Sequence, residues 1–308
     1  MKFPNYPGIK RGYPNLRRIS KKLSNYISLC RPFTLLGAFL AGFFLDVLFS
    51  RLSSNTFNLF HPILVGLTLA FLQGGGQSIN QAISEECAID KLNGKNYRPT
   101  VNGRISLKEA KIMSAILFSL GILLAFSLNV NYGFFSLLIA FFAVAYTVPP
   151  LRVKKRFLLN NLWQGIARGL LPAVYVASAY EGYGLLPIFF GIALAVWITG
   201  AQASKDFPDI KGDEAYGVKS FPVVLGEKGS LKLMGFFMGF AFILFNIFVI
   251  LGYFPVNFIV LNALIIPSAF IIIGLKKNLK VKFSENNLSW VAFYGTLGLF
   301  YIIPAFLI

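Results

Sequence analysis

The sequence is poor in acidic residues, histidine and cysteine. Twelve Asp and Glu stand against 29 Lys and Arg, and the 308 residues include a single histidine. That residue, His61, is expected at the outer mouth of an apolar segment, where it serves as an interfacial side chain. A Ser-His-Asp triad or a histidine zinc site therefore cannot form at the opposite end of that segment. Cys30 and Cys87 are too few for a disulfide framework. Chemistry must rest on carboxylates, amides, tyrosines and basic side chains.

Long apolar runs are what the sequence has in quantity. Apolar residues make up 56% of the chain, charged residues 13%, and the mean hydropathy is +0.66. Runs of about twenty apolar residues are long enough to cross a bilayer as helices, and no short alternating segments of the barrel kind recur. The sequence predicts an all-α polytopic membrane protein with about nine transmembrane helices, at 26–50, 61–89, 107–130, 132–150, 158–180, 185–206, 229–252, 256–275 and 287–308.

The basic residues are concentrated in every second connection. Of the 29, 26 lie in residues 1–25, 91–111, 152–156, 205–232 and 276–282. This is the positive-inside pattern of an odd number of helices with a cytoplasmic N-terminus. Topology and attraction to anionic lipids account for the net charge of +17, and no nucleic-acid partner is needed. We expect a basic arm at 1–25 and a single transmembrane domain at 26–308.

Two acidic clusters end the second and sixth predicted spans, both on the cytoplasmic side. One runs from Asn80 to Asp90 and the other from Lys205 to Asp213. Carboxylates beside a bilayer are costly unless they hold a cation or face a polar cavity. Glu86 and Asp90 are four residues apart and share a helix face. Oxygen ligands of this kind suit Mg²⁺ that bridges carboxylates to phosphate oxygens.

The two acidic clusters are followed by similar sequences. Gly103 and Ser106 follow the first cluster, and Gly226 and Ser230 follow the second at nearly the same offsets. This echo predicts a duplicated bundle, two four-helix repeats plus one helix, with the site between its halves.

The second cluster carries a specific motif. It reads Asp-Phe-Pro-Asp-Ile-Lys-Gly-Asp from Asp206 to Asp213, and Arg98-Pro99 follows the first cluster. With Arg31-Pro32 in the first span and the Tyr146-Thr-Val-Pro-Pro run, these residues resemble the UbiA-type superfamily of intramembrane prenyltransferases. The resemblance spans nearly the whole chain.

The first motif departs from the family pattern. The family has Asn followed by acids four and eight residues later, whereas Ser84 and Ala88 stand at those offsets from Asn80. Counting back from Asp90 puts Glu86 in place but Ala82 where the Asn belongs. Two extra residues in a bulged helical turn would restore Asn80 to the site.

The resemblance implies Mg²⁺-dependent transfer of a prenyl group from an allylic diphosphate to a lipophilic acceptor, with release of pyrophosphate. It implies metal ligands at Glu86, Asp90, Asp206, Asp209 and Asp213. It also implies substrate contacts at Asn80, Arg98, Lys154, Lys205 and Arg31. Among the catalytic residues, Tyr146 would face the allylic cation or contact the diphosphate, beside Asp206, Asp209 and Asp213.

The motifs resemble two branches of the family with different acceptors. The Lys205 to Asp209 run and Arg168-Gly169 look most like the branch that prenylates aromatic quinone precursors. A related branch alkylates geranylgeranylglyceryl phosphate to make ether lipids. Two other classes stay open: a transporter with duplicated halves, and a protein that binds prenyl lipid without turnover.

Overall fold

The computed structural model describes residues 14–53, 58–278 and 287–308. Within these ranges the chain forms helices joined by turns and has no strand. The longer α-helices are α1 Pro14–Cys30, α2 Pro32–Leu52, α3 Phe60–Gln81, α4 Ser84–Leu92, α5 Leu107–Leu128, α6 Val130–Thr147, α7 Leu159–Gly165, α8 Leu171–Ala177, α9 Leu186–Ala201, α10 Ile210–Ala215, α11 Phe221–Ile250, α12 Ile265–Asn278 and α13 Leu288–Leu307. A π-helix at Ile166–Leu170 joins α7 to α8, and a 3₁₀ helix at Val256–Leu264 precedes α12.

Seven helical segments in the described part of the chain are long and apolar enough to cross a membrane. They begin at α2, α5, α6, α9, α11, the 3₁₀ helix before α12, and α13. Two further predicted spans fall on α3 and on the broken α7–α8 helix. The all-helical membrane fold is confirmed, whereas the count of nine spans stays a prediction.

The helices form a ring of packed neighbours. In the first half, α3 packs against α2 and α5, and α5 packs against α6. In the second half, α9 packs against α11 and against the π-helix, and α12 packs against α13. The two halves meet where α13 and α8 contact α2. This arrangement leaves a cavity between the halves.

The N-terminal boundary and the end of the second span differ from prediction. Residues 1–13 of the predicted arm lie outside the described residues, and residues 14–30 form α1 rather than an arm and the start of a span. The predicted span 61–89 is not one helix: α3 ends at Gln81, and Ile83 is extended with φ −96° and ψ 125°. The chain breaks its helix at Ala82 and Ile83, so the expected bulged turn within a continuous helix is wrong. A helix restarts at Ser84.

The sixth span also ends in short turns. After α9 the chain makes 3₁₀ turns at Gln202–Lys205 and Phe207–Asp209, because Pro208 cannot continue an α-helix hydrogen-bond ladder. Gly103 and Gly226, which mark the sequence echo, both have left-handed φ values, 74° and 66°. A positive φ favours glycine at both positions. Gly103 lies in the turn before α5, and Gly226 interrupts the helix within α11.

A polar cluster lies at the other end of α2. Asp46 is buried and accepts hydrogen bonds from Tyr180 Oη at 2.7 Å and Tyr132 Oη at 3.3 Å, and its Oδ2 lies 2.9 Å from His61 Nδ1. His61 is thus a partner of Asp46, and its expected role as a plain interfacial residue is wrong. The cluster ties α2, α3 and α6 together, because a buried carboxylate needs such partners. It is not part of the cavity wall.

Candidate active site

Ten of the eleven predicted site residues surround one cavity between the two halves of the bundle. These are Arg31, Asn80, Glu86, Asp90, Arg98, Tyr146, Lys154, Lys205, Asp209 and Asp213. Asp206, the eleventh, is buried beside the cavity but does not line it. One end of the cavity is polar, and the rest is walled by apolar side chains such as Leu69, Leu72 and Pro172.

The helix α4 and the turn after it form the first polar wall. Glu85 and Glu86 occupy the first turn of α4 and Lys91 its last turn, which matches the helix dipole. Gly94 then takes a left-handed conformation, and Lys95 N donates a hydrogen bond back to Asp90 O at 2.9 Å. This turn brings the Lys95 side chain over Asp90, where Nζ lies 3.8 Å from Oδ1. Arg98 donates to the other oxygen of Asp90.

The turns after α9 form the second polar wall. Lys205 Nζ donates a hydrogen bond to Asp206 Oδ1 at 2.9 Å. Asp206 Oδ2 is buried and has no hydrogen-bond partner in the described part of the chain. Asp209 and Asp213 face the cavity from the 3₁₀ turn and from α10. The second wall therefore contributes two cavity-facing carboxylates and one buried behind them.

The two walls are joined directly at two places. Lys95 Nζ donates to Asp209 Oδ2 at 2.7 Å, which crosses from the first acidic segment to the second. Asn93 Oδ1 accepts a hydrogen bond from Gly212 N at 2.7 Å. At Gly212 a Cβ atom would lie 2.6 Å from Ile89 O, so α4 and α10 approach as closely as glycine alone permits.

Glu86 is held by two cations from the turn after α6. Lys154 donates to its Oε2, and Arg152 Nη2 donates to its Oε1 at 3.0 Å. Burial raises the pKa of Glu86, but Lys154 and Arg152 together outweigh burial and hold its pKa below the usual range. Glu86 is thus a carboxylate at neutral pH, ready to accept cations or metal.

Tyr146 and Asn80 close the polar end from α6 and α3. Tyr146 Oη donates to Asn160 Oδ1 at 2.7 Å and accepts a hydrogen bond from Lys205 Nζ at 3.4 Å. Its hydroxyl is therefore engaged by the protein. Asn80 Nδ2 donates to Thr147 Oγ1 at 3.1 Å, so the helix break after Gln81 leaves Asn80 on the same cavity as Glu86.

Two arginines lie further along the cavity. Arg31 donates to Gln77 Oε1 at 3.2 Å. Arg168, from the π-helix, donates to Tyr294 Oη at 2.9 Å and to Gln202 Oε1 at 3.4 Å. Both guanidinium groups line the cavity with the carboxylate walls.

The carboxylate oxygens of the two walls are suitable ligands for a divalent cation. Oxygen ligands from two facing walls suit Mg²⁺, which keeps several waters and bridges to phosphate oxygens. The spare oxygen of buried Asp206 supports this, because a buried polar atom without a partner points to a missing one. In the described residues no three acids converge on one point, since Lys95, Lys154 and Lys205 lie between them.

Sequence reasoning missed three cations of the site. Lys95 and Arg152 were assigned to membrane topology with the other loop cations, although Lys95 is only 6% exposed. For Arg168 the sequence predicts no ligand, because the Arg168-Gly169 pair only distinguishes branches of the family. The available signal was position: Lys95 follows the first acidic segment directly, and a basic residue inside a span is a functional candidate.

The comparisons with known proteins identify the family and the fold. The family model described as the UbiA prenyltransferase family matches residues 32–301. A digeranylgeranylglyceryl phosphate synthase of Methanocaldococcus jannaschii is 30% identical over 248 residues, which cover 79% of this chain and 82% of that protein.

Two solved structures share the fold over most of the chain. One is from work on digeranylgeranylglyceryl phosphate synthase in membranes, with 26% identity, a TM-score of 0.63 and coverage of 92% of this chain and 99% of that chain. The other is a UbiA homolog from Archaeoglobus fulgidus bound to DMAPP and Mg²⁺, with 21% identity and a TM-score of 0.70. It covers 92% of this chain and 98% of that chain, and this likeness shows the fold.

Proposed function

This chain belongs to the UbiA prenyltransferase family, and from that premise we propose that its acceptor is geranylgeranylglyceryl phosphate. It is an integral membrane prenyltransferase. The sequence motifs favoured an aromatic quinone precursor and kept the glycerol phosphate as the alternative. The Methanocaldococcus jannaschii relative, which aligns over 79% of this chain at 30% identity, is named for a glyceryl phosphate lipid, and it supports the alternative.

The observation that carries the catalytic proposal is the meeting of both acidic segments on one cavity. Glu86 and Asp90 would hold Mg²⁺ from the first wall, and Asp209, Asp213 and the spare oxygen of Asp206 from the second. The DMAPP and Mg²⁺ bound to the Archaeoglobus fulgidus homolog support a prenyl diphosphate as the donor and Mg²⁺ as the ion. When bound, Mg²⁺ neutralises the diphosphate as it leaves.

Side chains of the cavity bind the diphosphate, stabilise the allylic cation and exclude water. Lys95, Arg98, Lys154 and Lys205 orient the diphosphate oxygens by charge-assisted hydrogen bonds. The bond between C1 of the prenyl group and the diphosphate oxygen breaks, and pyrophosphate leaves. The acceptor hydroxyl oxygen bonds to C1, and its proton passes to the departing pyrophosphate. The ring of Tyr146 faces the allylic cation, since aromatic faces attract cations. The apolar walls hold the prenyl chain and exclude water.

The location in the cell follows from the charge pattern. We place the enzyme in the cell membrane with its N-terminus and active site on the cytoplasmic side, because the basic connections lie at the end of the bundle that carries the acidic segments. Residues 26–308 act as one unit in this proposal, which the family match over 32–301 supports.

Pyrophosphate release tests the proposal. The purified protein in nanodiscs is given geranylgeranyl diphosphate with geranylgeranylglyceryl phosphate or a hydroxybenzoic acid, with and without Mg²⁺. We expect release that requires both Mg²⁺ and the glyceryl phosphate. Release with the aromatic acid alone would return the acceptor to the quinone branch, and diphosphate binding without release from any acceptor would support a lipid-binding protein instead.

A further inference from the structure

The backbone that carries the Arg168 side chain is held in place by packing and by a hydrogen bond. The π-helix that carries it is pressed against α9: a Cβ at Gly165 or Gly169 would lie 2.4 or 2.6 Å from backbone atoms of Ala195. Tyr301 Oη also donates a hydrogen bond to Arg168 O at 2.5 Å. The backbone is thus held on two sides, and the side chain lines the cavity.

The hydrogen-bond partners of Arg168 are neutral. Both bonds, to Gln202 Oε1 and Tyr294 Oη, leave from Nη1. Nη2 and Nε make no hydrogen bond to a described residue, and no described carboxylate forms an ion pair with this guanidinium. Lys95, Lys154 and Lys205 each have a carboxylate partner. Arg168 lies in the predicted span 158–180, where a guanidinium is costly without a counter-charge, so it is suited to an anion that the described residues do not supply.

The position of Gln202 relates Arg168 to the diphosphate end of the cavity. Gln202 and Lys205 begin and end one 3₁₀ turn. Residues three apart in a 3₁₀ helix lie on the same face, about 6 Å apart along the axis. Arg168 is therefore bonded to the residue one 3₁₀ turn before Lys205, and both cations line the same cavity.

We infer that Arg168, held by Gln202 and Tyr294, binds the phosphate group of the acceptor. The inference rests on the proposed function, which gives the enzyme two phosphorylated substrates. The donor diphosphate is met by the cations between the carboxylate walls, so the second anion belongs to the acceptor. A guanidinium suits it, because its planar fork binds phosphate oxygens in pairs.

The test compares two acceptors that differ only in the phosphate. For geranylgeranylglyceryl phosphate and its dephosphorylated alcohol, kcat/KM is measured in the wild type and in Arg168→Gln. We expect Arg168→Gln to lower the preference for the phosphate about 10- to 100-fold, the range for loss of a charge-assisted hydrogen bond. The loss should come from the acceptor KM, with the donor KM unchanged. Tyr294→Phe, which removes only a supporting hydroxyl, should raise the acceptor KM by a few fold.

The matched control is Arg51→Gln. Arg51 also donates to oxygens of the chain, Ala305 O and Ile308 O, but at the far end of α2 and outside the cavity wall, so its variant should keep the wild-type preference. Equal losses of kcat with both acceptors in Arg168→Gln would overturn the inference, because they indicate a structural role. A wild type that turns over only the hydroxybenzoic acid would instead overturn the proposed function.

Discussion

Lys95 Nζ and Asp209 Oδ2 lie 2.7 Å apart, although 114 positions separate the two residues in the chain. The lysine comes from the turn after α4 and the carboxylate from the turn after α9. This ion pair connects the two acidic segments directly. The same lysine also lies 3.8 Å from Asp90 Oδ1, so one cation serves a carboxylate from each wall.

Replacing Lys95 with Met should destabilise the metal-free protein and spare the metal-loaded one. Removing one partner of a buried ion pair costs about 3–5 kcal/mol, and since the Asp209 side chain is 20% exposed we expect about 1–3 kcal/mol. Thermal unfolding in detergent with EDTA, and then with Mg²⁺, measures the difference. Lys91→Met, at an exposed position of α4, is the control. Equal destabilisation with and without Mg²⁺ would contradict a shared role of Lys95 and metal at Asp209.

Asp209→Asn should abolish Mg²⁺-dependent turnover, with a loss of at least about 100-fold. The amide keeps the size of the side chain but removes the charge that faces Lys95 and the ion. Pyrophosphate release over a Mg²⁺ titration measures the loss. Glu227→Gln removes an acid in α11 outside the cavity and should leave the titration unchanged. Wild-type turnover in Asp209→Asn would sink the site assignment.

Gly212→Ala should reduce turnover about 10-fold or more by separating α4 from α10. The added Cβ would lie 2.6 Å from Ile89 O, and a backbone atom cannot yield without moving its helix. Displacements of about 1 Å at a catalytic site can cost about 100-fold in rate. Gly239→Ala in α11 is the control, since nothing lies within 4 Å of its Cβ position. If both variants have wild-type kcat, the close approach of α4 and α10 does not set the site geometry.

Two substitutions at Tyr146 separate the ring from the hydroxyl. The hydroxyl is already bonded to Asn160 and Lys205, so Tyr146→Phe should keep kcat within about 10-fold. Tyr146→Leu removes the aromatic face and should lower kcat about 30-fold or more, as loss of a desolvated cation–π contact of about 2 kcal/mol predicts. Single-turnover measurements report the chemical step. Equal losses in both variants would instead assign the role to the hydroxyl.

The sequence was sufficient for the membrane fold, and it singled out carboxylates that the structure brings to one cavity. Long apolar runs specify helices because backbone groups in lipid must bond within their own segment, and rare acids at span ends are informative because of their cost. The partner of His61 was not predictable, since Asp46 lies one helix away and only packing of α2 on α3 brings the two together.

The cations were harder to assign than the acids. Lys95, Arg98 and Lys91 lie within eight residues of one another, yet Lys91 is exposed and the other two are buried. Their difference comes from the turn at Gly94, which directs the chain back over Asp90. The charge pattern alone reports the side of the membrane, and only the local backbone decides which cations enter the site.

The helix break at Ala82 and Ile83 is a position where the chain accommodates inserted residues. Because α4 starts again from its own first turn, two additional residues alter the interval between Asn80 and Glu86 while both side chains still reach the same chamber. A pattern with fixed intervals between Asn80 and the acids does not fit this chain, although ten of the eleven predicted site residues line one cavity. Enzymes of this kind are better recognised by which helix ends meet than by how many residues separate the ligands.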